Sequence, residues 1–94
     1  MRLHGRTDRN QSEIVKGLRA CGCSVAVISS LGSIGDLLVG RHGENWLLEI
    51  KDGDLPLSKR KLTKDEEKFA LGWQGNYAIV NCLEDALKVV GVKR

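Results

Sequence analysis

The chain has 94 residues, with fifteen Lys and Arg against twelve Asp and Glu, a formal net charge of +3 and an apolar fraction of 41%. This length supports one small hydrophobic core and excludes a cofactor domain joined to a separate substrate domain. The composition is that of an ordinary globular domain spanning residues 1–94, not a disordered tail. Mild basicity permits a nucleic-acid partner without requiring one.

No apolar run approaches the roughly 18 residues of a membrane-spanning helix, so no membrane partner is expected. The segment Met1-Arg2-Leu3-His4-Gly5-Arg6 has no apolar stretch of the secretory kind. A cytoplasmic protein is the expectation.

From Asp8 to Ala20, the residues Ile14, Val15 and Leu18, continued by Cys21, recur at helical spacing. Asp8 or Asn10 is placed to cap this helix and Gly22 to stop it. Cys23 to Ser29 is short and β-branched, which predicts a buried strand. A Gly-rich turn, Leu31 to Gly35, leads into a second strand, Asp36 to Val39, bounded by Gly40 and Gly43. The third strand, Asn45 to Lys51, places Trp46, Leu48 and Ile50 on one face and Leu47, Glu49 and Lys51 on the other.

Asp52 to Ser58, around Pro56, has loop chemistry. Thr63 to Gly72 reads as a helix, with Thr63 and Glu66 at capping-box spacing and Leu62, Phe69 and Ala70 on its apolar side. Tyr77 to Asn81 is a fourth strand and Leu83 to Val90 a closing helix. The order αβββαβα predicts an α/β (α+β) domain. Its first three strands form an antiparallel meander, and the fourth, following a helix, adds in parallel to give a mixed sheet.

Cys21, Cys23 and Cys82 are an odd number and suit buried free thiols better than a disulfide framework. His4 and His42 do not complete a zinc site with them. Asn10-Gln11-Ser12 matches a glycosylation sequon, inert without secretion.

The residues that carry chemistry are Asp36, Glu49 and Lys51. Glu49 and Lys51 are two apart on one strand and share a face. Asp36 opens the preceding strand, and twelve residues separate it from Glu49. That gap lets the two carboxylates stand side by side across neighbouring strands, roughly 5 Å apart at Cβ. Without a cation they would repel each other. A divalent metal would screen them, polarise a phosphodiester and acidify a bound water. The lysine is then placed to orient that water or meet charge building on phosphorus.

An Asp, a strand-length gap and Glu-x-Lys resemble the signature of the PD-(D/E)xK nucleases. Gly32 to Leu37, Leu48 to Lys51, Lys61 to Glu66 with Phe69, Tyr77 to Val80 and Glu84 to Leu87 narrow the resemblance to the VRR-NUC family. It covers nearly the whole chain from Glu13 onward. The resemblance implies a restriction-endonuclease-like fold and a metal-dependent endonuclease of phage or bacterial type. By that resemblance, Asp36 and Glu49 bind Mg²⁺ (with Mn²⁺ as substitute), the Ile50 carbonyl adds a ligand, and Lys51 assists the water. Glu13 matches the acid of the first helix, binding metal directly or through water.

The resemblance further implies a homodimer selective for four-way (Holliday) junctions or branched DNA. Two alternatives stand beside it. One is a catalytically idle DNA-binding module. The other is a nuclease for duplex or single-stranded DNA.

The sequence departs from the family pattern at two places. Gly35 stands where the family has Pro, and Glu66 where it has Gln. Glu66 would then be an extra negative charge beside the metal, the acid of the capping box, or both.

Next to such a site, the basic run of Lys59, Arg60, Lys61 and Lys64 is placed for phosphate contact, with Ser58 as a further donor. Arg6 and Arg9, with Arg2, form a second basic patch for DNA. Trp46 and Trp73 are expected in the core or at a dimer surface.

Overall fold

The computed structural model describes residues 4–51 and 61–93, with side chains described from residue 9 onward. The elements are helix α1 (His4–Ala20), strand β1 (Ser24–Val27), a 3₁₀ turn (Ser29–Leu31), strands β2 (Leu37–Arg41) and β3 (Glu44–Ile50), helix α2 (Lys64–Gly72), strand β4 (Asn76–Val80) and helix α3 (Leu83–Val89). The expected order holds, with the 3₁₀ turn added. The sheet runs β1-β2-β3-β4, antiparallel at β1/β2 and β2/β3 and parallel at β3/β4. This is a small α+β domain with a mixed four-strand sheet and three α-helices among the described residues.

Register explains the two faces. Leu37 pairs with Leu48, and Leu48 with Ala78, while Ile50 pairs with Val80. These residues therefore point to one side, where they meet Ile14, Val15 and Leu18 of α1 and Ala86 and Leu87 of α3, with Val90 just beyond its end. The core lies between this face and the α1–α3 pair. Gly17 permits the close approach of the two helices, because a Cβ there would overlap Leu83. The opposite face carries Leu38, Leu47, Glu49, Tyr77 and Ile79. Helix α2 reaches that second face through Phe69, whose ring lies 6.0 Å from that of Tyr77.

Helices α1 and α3 end alike. Cys23 N–H donates to the Leu18 carbonyl and Gly22 N–H to that of Arg19; Val92 and Gly91 repeat the pattern on Leu87 and Lys88. These are Schellman closures, in which a glycine follows the cap and an apolar residue folds back on the helix. The β2–β3 hairpin turns at His42 and Gly43, both at positive φ (52° and 82°), the backbone of a tight two-residue turn.

Several expectations need correction. Helix α1 begins at His4 rather than Asp8, so neither Asp8 nor Asn10 caps it. The Asn10 amide instead donates to the Asn81 carbonyl at 3.2 Å, tying α1 to the end of β4. Strand β1 is mostly exposed, not buried, because it is an edge strand with a neighbour on one side only. Of the three thiols only Cys23 is buried, while Cys21 and Cys82 are exposed. Helix α2 has no fully buried residue, since it covers only part of its face. Trp46 packs against the core. Trp73 is 44% exposed and stacks on Phe69, with ring centroids 5.3 Å apart.

Candidate functional site

The last turn before β2 sets the first acid. Gly35 has φ of +132°, and a Cβ there would stand 3.3 Å from the Leu48 carbonyl oxygen. A proline needs φ near −65° and could not adopt this conformation. Asp36 N–H then donates to the Leu48 carbonyl at 2.8 Å, and its carboxylate accepts from Ile50 N–H at 2.8 Å. These bonds extend the β2/β3 register by one residue, which puts Asp36 beside Glu49.

Glu49 is 5% exposed and is the one buried charged side chain among the described residues. It lies 3.5 Å from Lys51 Nζ, which donates at 2.9 Å to Glu66 Oε1. The Glu66 carboxylate also accepts from Thr63 N–H at 2.8 Å, while the Thr63 hydroxyl accepts from Glu66 N–H at 3.2 Å. Glu66 thus has two sets of partners. It completes the capping box of α2, and it joins the sheet acids through Lys51. Asp36, just before β2, Glu49 of β3, Lys51 just after it, and Glu66 in the first turn of α2 come together here.

The electrostatics follow from three acids sharing one ammonium. Burial, the Asp36 charge and Glu66 push the Glu49 carboxyl up to about 8 from an ordinary 4.5. Burial also raises Asp36, against the lowering effect of the Ile50 N–H bond and the Lys51 charge. Glu66 moves the other way. Burial would raise it, but the Thr63 N–H and the Lys51 hydrogen bond hold it below the ordinary carboxylate range. For Lys51, burial opposes the ammonium, but the Glu66 hydrogen bond and the Glu49 charge outweigh it and raise its pKa. The pair Lys51–Glu66 is therefore charged, and Glu49 shares the excess proton of the cluster.

Among the described residues no group of three His, Cys, Asp or Glu side chains forms a cage able to hold a metal by itself. Mg²⁺ rarely uses such a cage. It takes hard oxygen donors, commonly one or two carboxylates completed by water and substrate phosphate. The adjacent carboxylates Asp36 and Glu49 are a donor set of that kind, and their raised pKa values are those of acids whose charge a cation would offset.

The other sequence-derived positions are dispersed. Glu13 is exposed on α1, the helix against the opposite sheet face, and shares no hydrogen bond or ion pair with the cluster. Ile50 is tied in through its amide, which donates to Asp36. Lys61 and Lys64 are exposed on either side of the Thr63 cap, next to the helix turn that presents Glu66. Arg9 is exposed on α1. Ser58, Lys59, Arg60 and the rest of the 52–60 segment lie outside the described residues, as do the side chains of Arg2 and Arg6.

One residue of the site was not singled out by sequence. Tyr77, paired in register with Leu47, has a buried hydroxyl with no hydrogen-bond partner among the described residues. Burial and then the charges of Glu49, Glu66 and Asp36 push it up to about 12. Its only sequence signal is parity: once the β3/β4 register is known, Tyr77 falls on the Glu49 face. No protein-family model, curated protein or solved structure matches the chain.

Proposed function

We propose that the chain is a Mg²⁺-dependent DNA endonuclease with a restriction-endonuclease-like fold of the VRR-NUC type. The observation that carries this reading is the convergence of Asp36, Glu49 and Lys51. Two strands hold the carboxylates side by side, and an ammonium lies 3.5 Å from the second. Asp36 and Glu49 would hold the cation, with the Ile50 carbonyl as the further ligand the resemblance assigns. When bound, Mg²⁺ supplies a polarised phosphodiester and an acidified water.

The chain's own groups do the rest. Ile50 N–H fixes one oxygen of Asp36 beside Glu49. Glu66 accepts from both Lys51 and Thr63 N–H and so anchors the Lys51 ammonium beside Glu49. From there Lys51 orients a nucleophilic water by hydrogen bonding and offsets negative charge developing on phosphorus. Lys61 and Lys64 supply phosphate contacts at the same end of α2.

A four-way junction has two-fold symmetry, which a dimer of single-site subunits would match. Leu38 and Trp73, both exposed, line one groove beside Leu47 and provide apolar surface for a second copy. The test is cleavage of a panel of synthetic junction, flap, duplex and single-stranded DNA in Mg²⁺ or Mn²⁺. Junction cleavage lost in Lys51→Ala, with folding intact, supports the proposal. Binding without cleavage in either metal points instead to an idle DNA-binding module. Equal activity in Lys51→Ala overturns the catalytic assignment.

A further inference from the structure

Helix α2 ends on an aromatic pair that the core does not absorb. Phe69 and Trp73 stack with ring centroids 5.3 Å apart and planes 22° from parallel. Neither belongs to the buried cluster between the sheet and the α1–α3 pair, and Trp73 is 44% exposed. Trp73 divides two grooves. One, beside Leu38 and Leu47, offers apolar surface to a second copy. The other runs along α2 and is lined by Asp65, Lys68, Phe69, Gly72 and Trp73.

Two glycines shape this end of the helix. A Cβ at Gly75 would stand 2.8 Å from Trp73 Nε1, so glycine there lets the indole lie against the backbone. With Phe69 on one face, the ring is held in place before any ligand arrives. Gly72 differs. Its φ is not positive, and a Cβ on it would meet nothing within 4 Å. The backbone does not need glycine at this position, and a helix is weakened by it. What the missing side chain leaves open is the groove.

The lining favours one kind of occupant. Stacked aromatic rings offer a π-face to a flat ring. Lys61, Lys64 and Lys68 are exposed and form no ion pair with a described residue. Lys64 and Lys68, at i and i+4, are neighbours on the helix surface, and Lys68 lines the groove itself. Asp65 is the acid of the lining. An apolar protein segment would desolvate Lys68 and Asp65 while offering them nothing, which is costly. A nucleotide brings a phosphate for the lysine and base N–H donors for the carboxylate.

We propose that the groove along α2 is a base-stacking subsite. One unpaired base of the bound DNA lies on the Phe69–Trp73 pair, while Lys68 and Lys64 contact the flanking phosphates. The inference rests on the nuclease reading for the partner being DNA, and it adds the group that recognises an unpaired nucleotide at a branch. The subsite is one helical turn beyond Glu66, the carboxylate that anchors Lys51.

The probe is a short oligothymidylate, bound without metal so that nothing is cut, and compared with an abasic oligomer of equal length and charge. Affinity is read by fluorescence anisotropy of the labelled strand, and stacking by quenching of tryptophan emission. The unsubstituted chain binds the base-bearing strand at least about fivefold more tightly, the lower end of what one stacked base contributes. That strand quenches the exposed Trp73, whereas the abasic strand does not. Gly72→Leu places a side chain in the groove. It melts no lower than the unsubstituted chain, yet binds the two strands alike.

Equal affinity of the unsubstituted chain for both strands overturns the proposal and needs no variant. So does a base preference without tryptophan quenching, or one that survives in a folded Gly72→Leu. If both strands bind alike and Gly72→Leu disrupts a dimer in sedimentation, the groove seats a second copy and the proposal is again overturned. The nuclease reading fails separately. A chain that cuts a junction in Mg²⁺ but binds both strands alike loses only the subsite. A chain that binds bases selectively but cuts no DNA keeps the subsite and loses the nuclease.

Discussion

Glu49 is the residue where folding and chemistry conflict most. A lone buried carboxylate is costly, and this one has Asp36 and Glu66 as neighbours. Its carboxyl at about 8, against 4.5 when unfolded, means the native state binds a proton more tightly than the unfolded state. The linkage sign is then fixed: stability falls as pH rises between those values and levels off above the upper one. Asp36, also raised, acts in the same direction, whereas Glu66, held low, contributes stability above the ordinary carboxylate range and loses it on acidification. Glu49→Gln removes the largest of the unfavourable contributions. Metal-free Glu49→Gln should melt higher than the unsubstituted chain near pH 9, with the difference shrinking toward about pH 4. Parallel melting profiles across that range would contradict the account. The Asp36–Glu49–Lys51 set was legible in sequence because strand parity and a hairpin-length gap fix which side chains share a face. Tyr77 was not, because its place depends on the register of a parallel pair that no local pattern encodes.

At the scale of elements, the start of α2 couples the helix to the site. The Thr63 hydroxyl caps Glu66 N–H, and the Glu66 carboxylate returns to Thr63 N–H while also accepting from Lys51. Thr63→Ala removes only the hydroxyl half of this exchange. The expected cost is about 1 kcal/mol of stability, read by denaturant unfolding, with the Lys51–Glu66 contact retained. No loss would show that the cap is idle. The Thr63–Glu66 spacing made this helix start readable. The start of α1 was misplaced because Asn10 looks like a cap locally, yet its amide satisfies the distant Asn81 carbonyl. β1 misled in a related way. Its β-branched sequence suits a strand, but its exposure follows from being at the sheet edge. Element type and order follow local chemistry, whereas burial follows the tertiary neighbour.

The whole molecule separates its charges. A net +3 averages an acidic cluster at the β2/β3/α2 junction with exposed cations such as Arg9, Lys61 and Lys64. If Lys61 and Lys64 contact phosphates, replacing either by Ala should weaken DNA binding similarly for all sequences. Each replacement should reduce the slope of log affinity against log salt by about 0.9, as measured by fluorescence anisotropy. An unchanged slope would take that lysine out of the interface.

The central claim is that the adjacent acids Asp36 and Glu49 serve metal-dependent phosphodiester hydrolysis. The most direct measurement is single-turnover cleavage of an end-labelled four-way junction in Mg²⁺ by the unsubstituted chain and by Asp36→Asn, with matched melting curves. Cleavage by the unsubstituted chain, abolished by chelator and reduced at least about 100-fold in a folded Asp36→Asn, is the predicted result. Cleavage that persists undiminished in Asp36→Asn, or a folded unsubstituted chain that cuts no DNA in either Mg²⁺ or Mn²⁺, would contradict it.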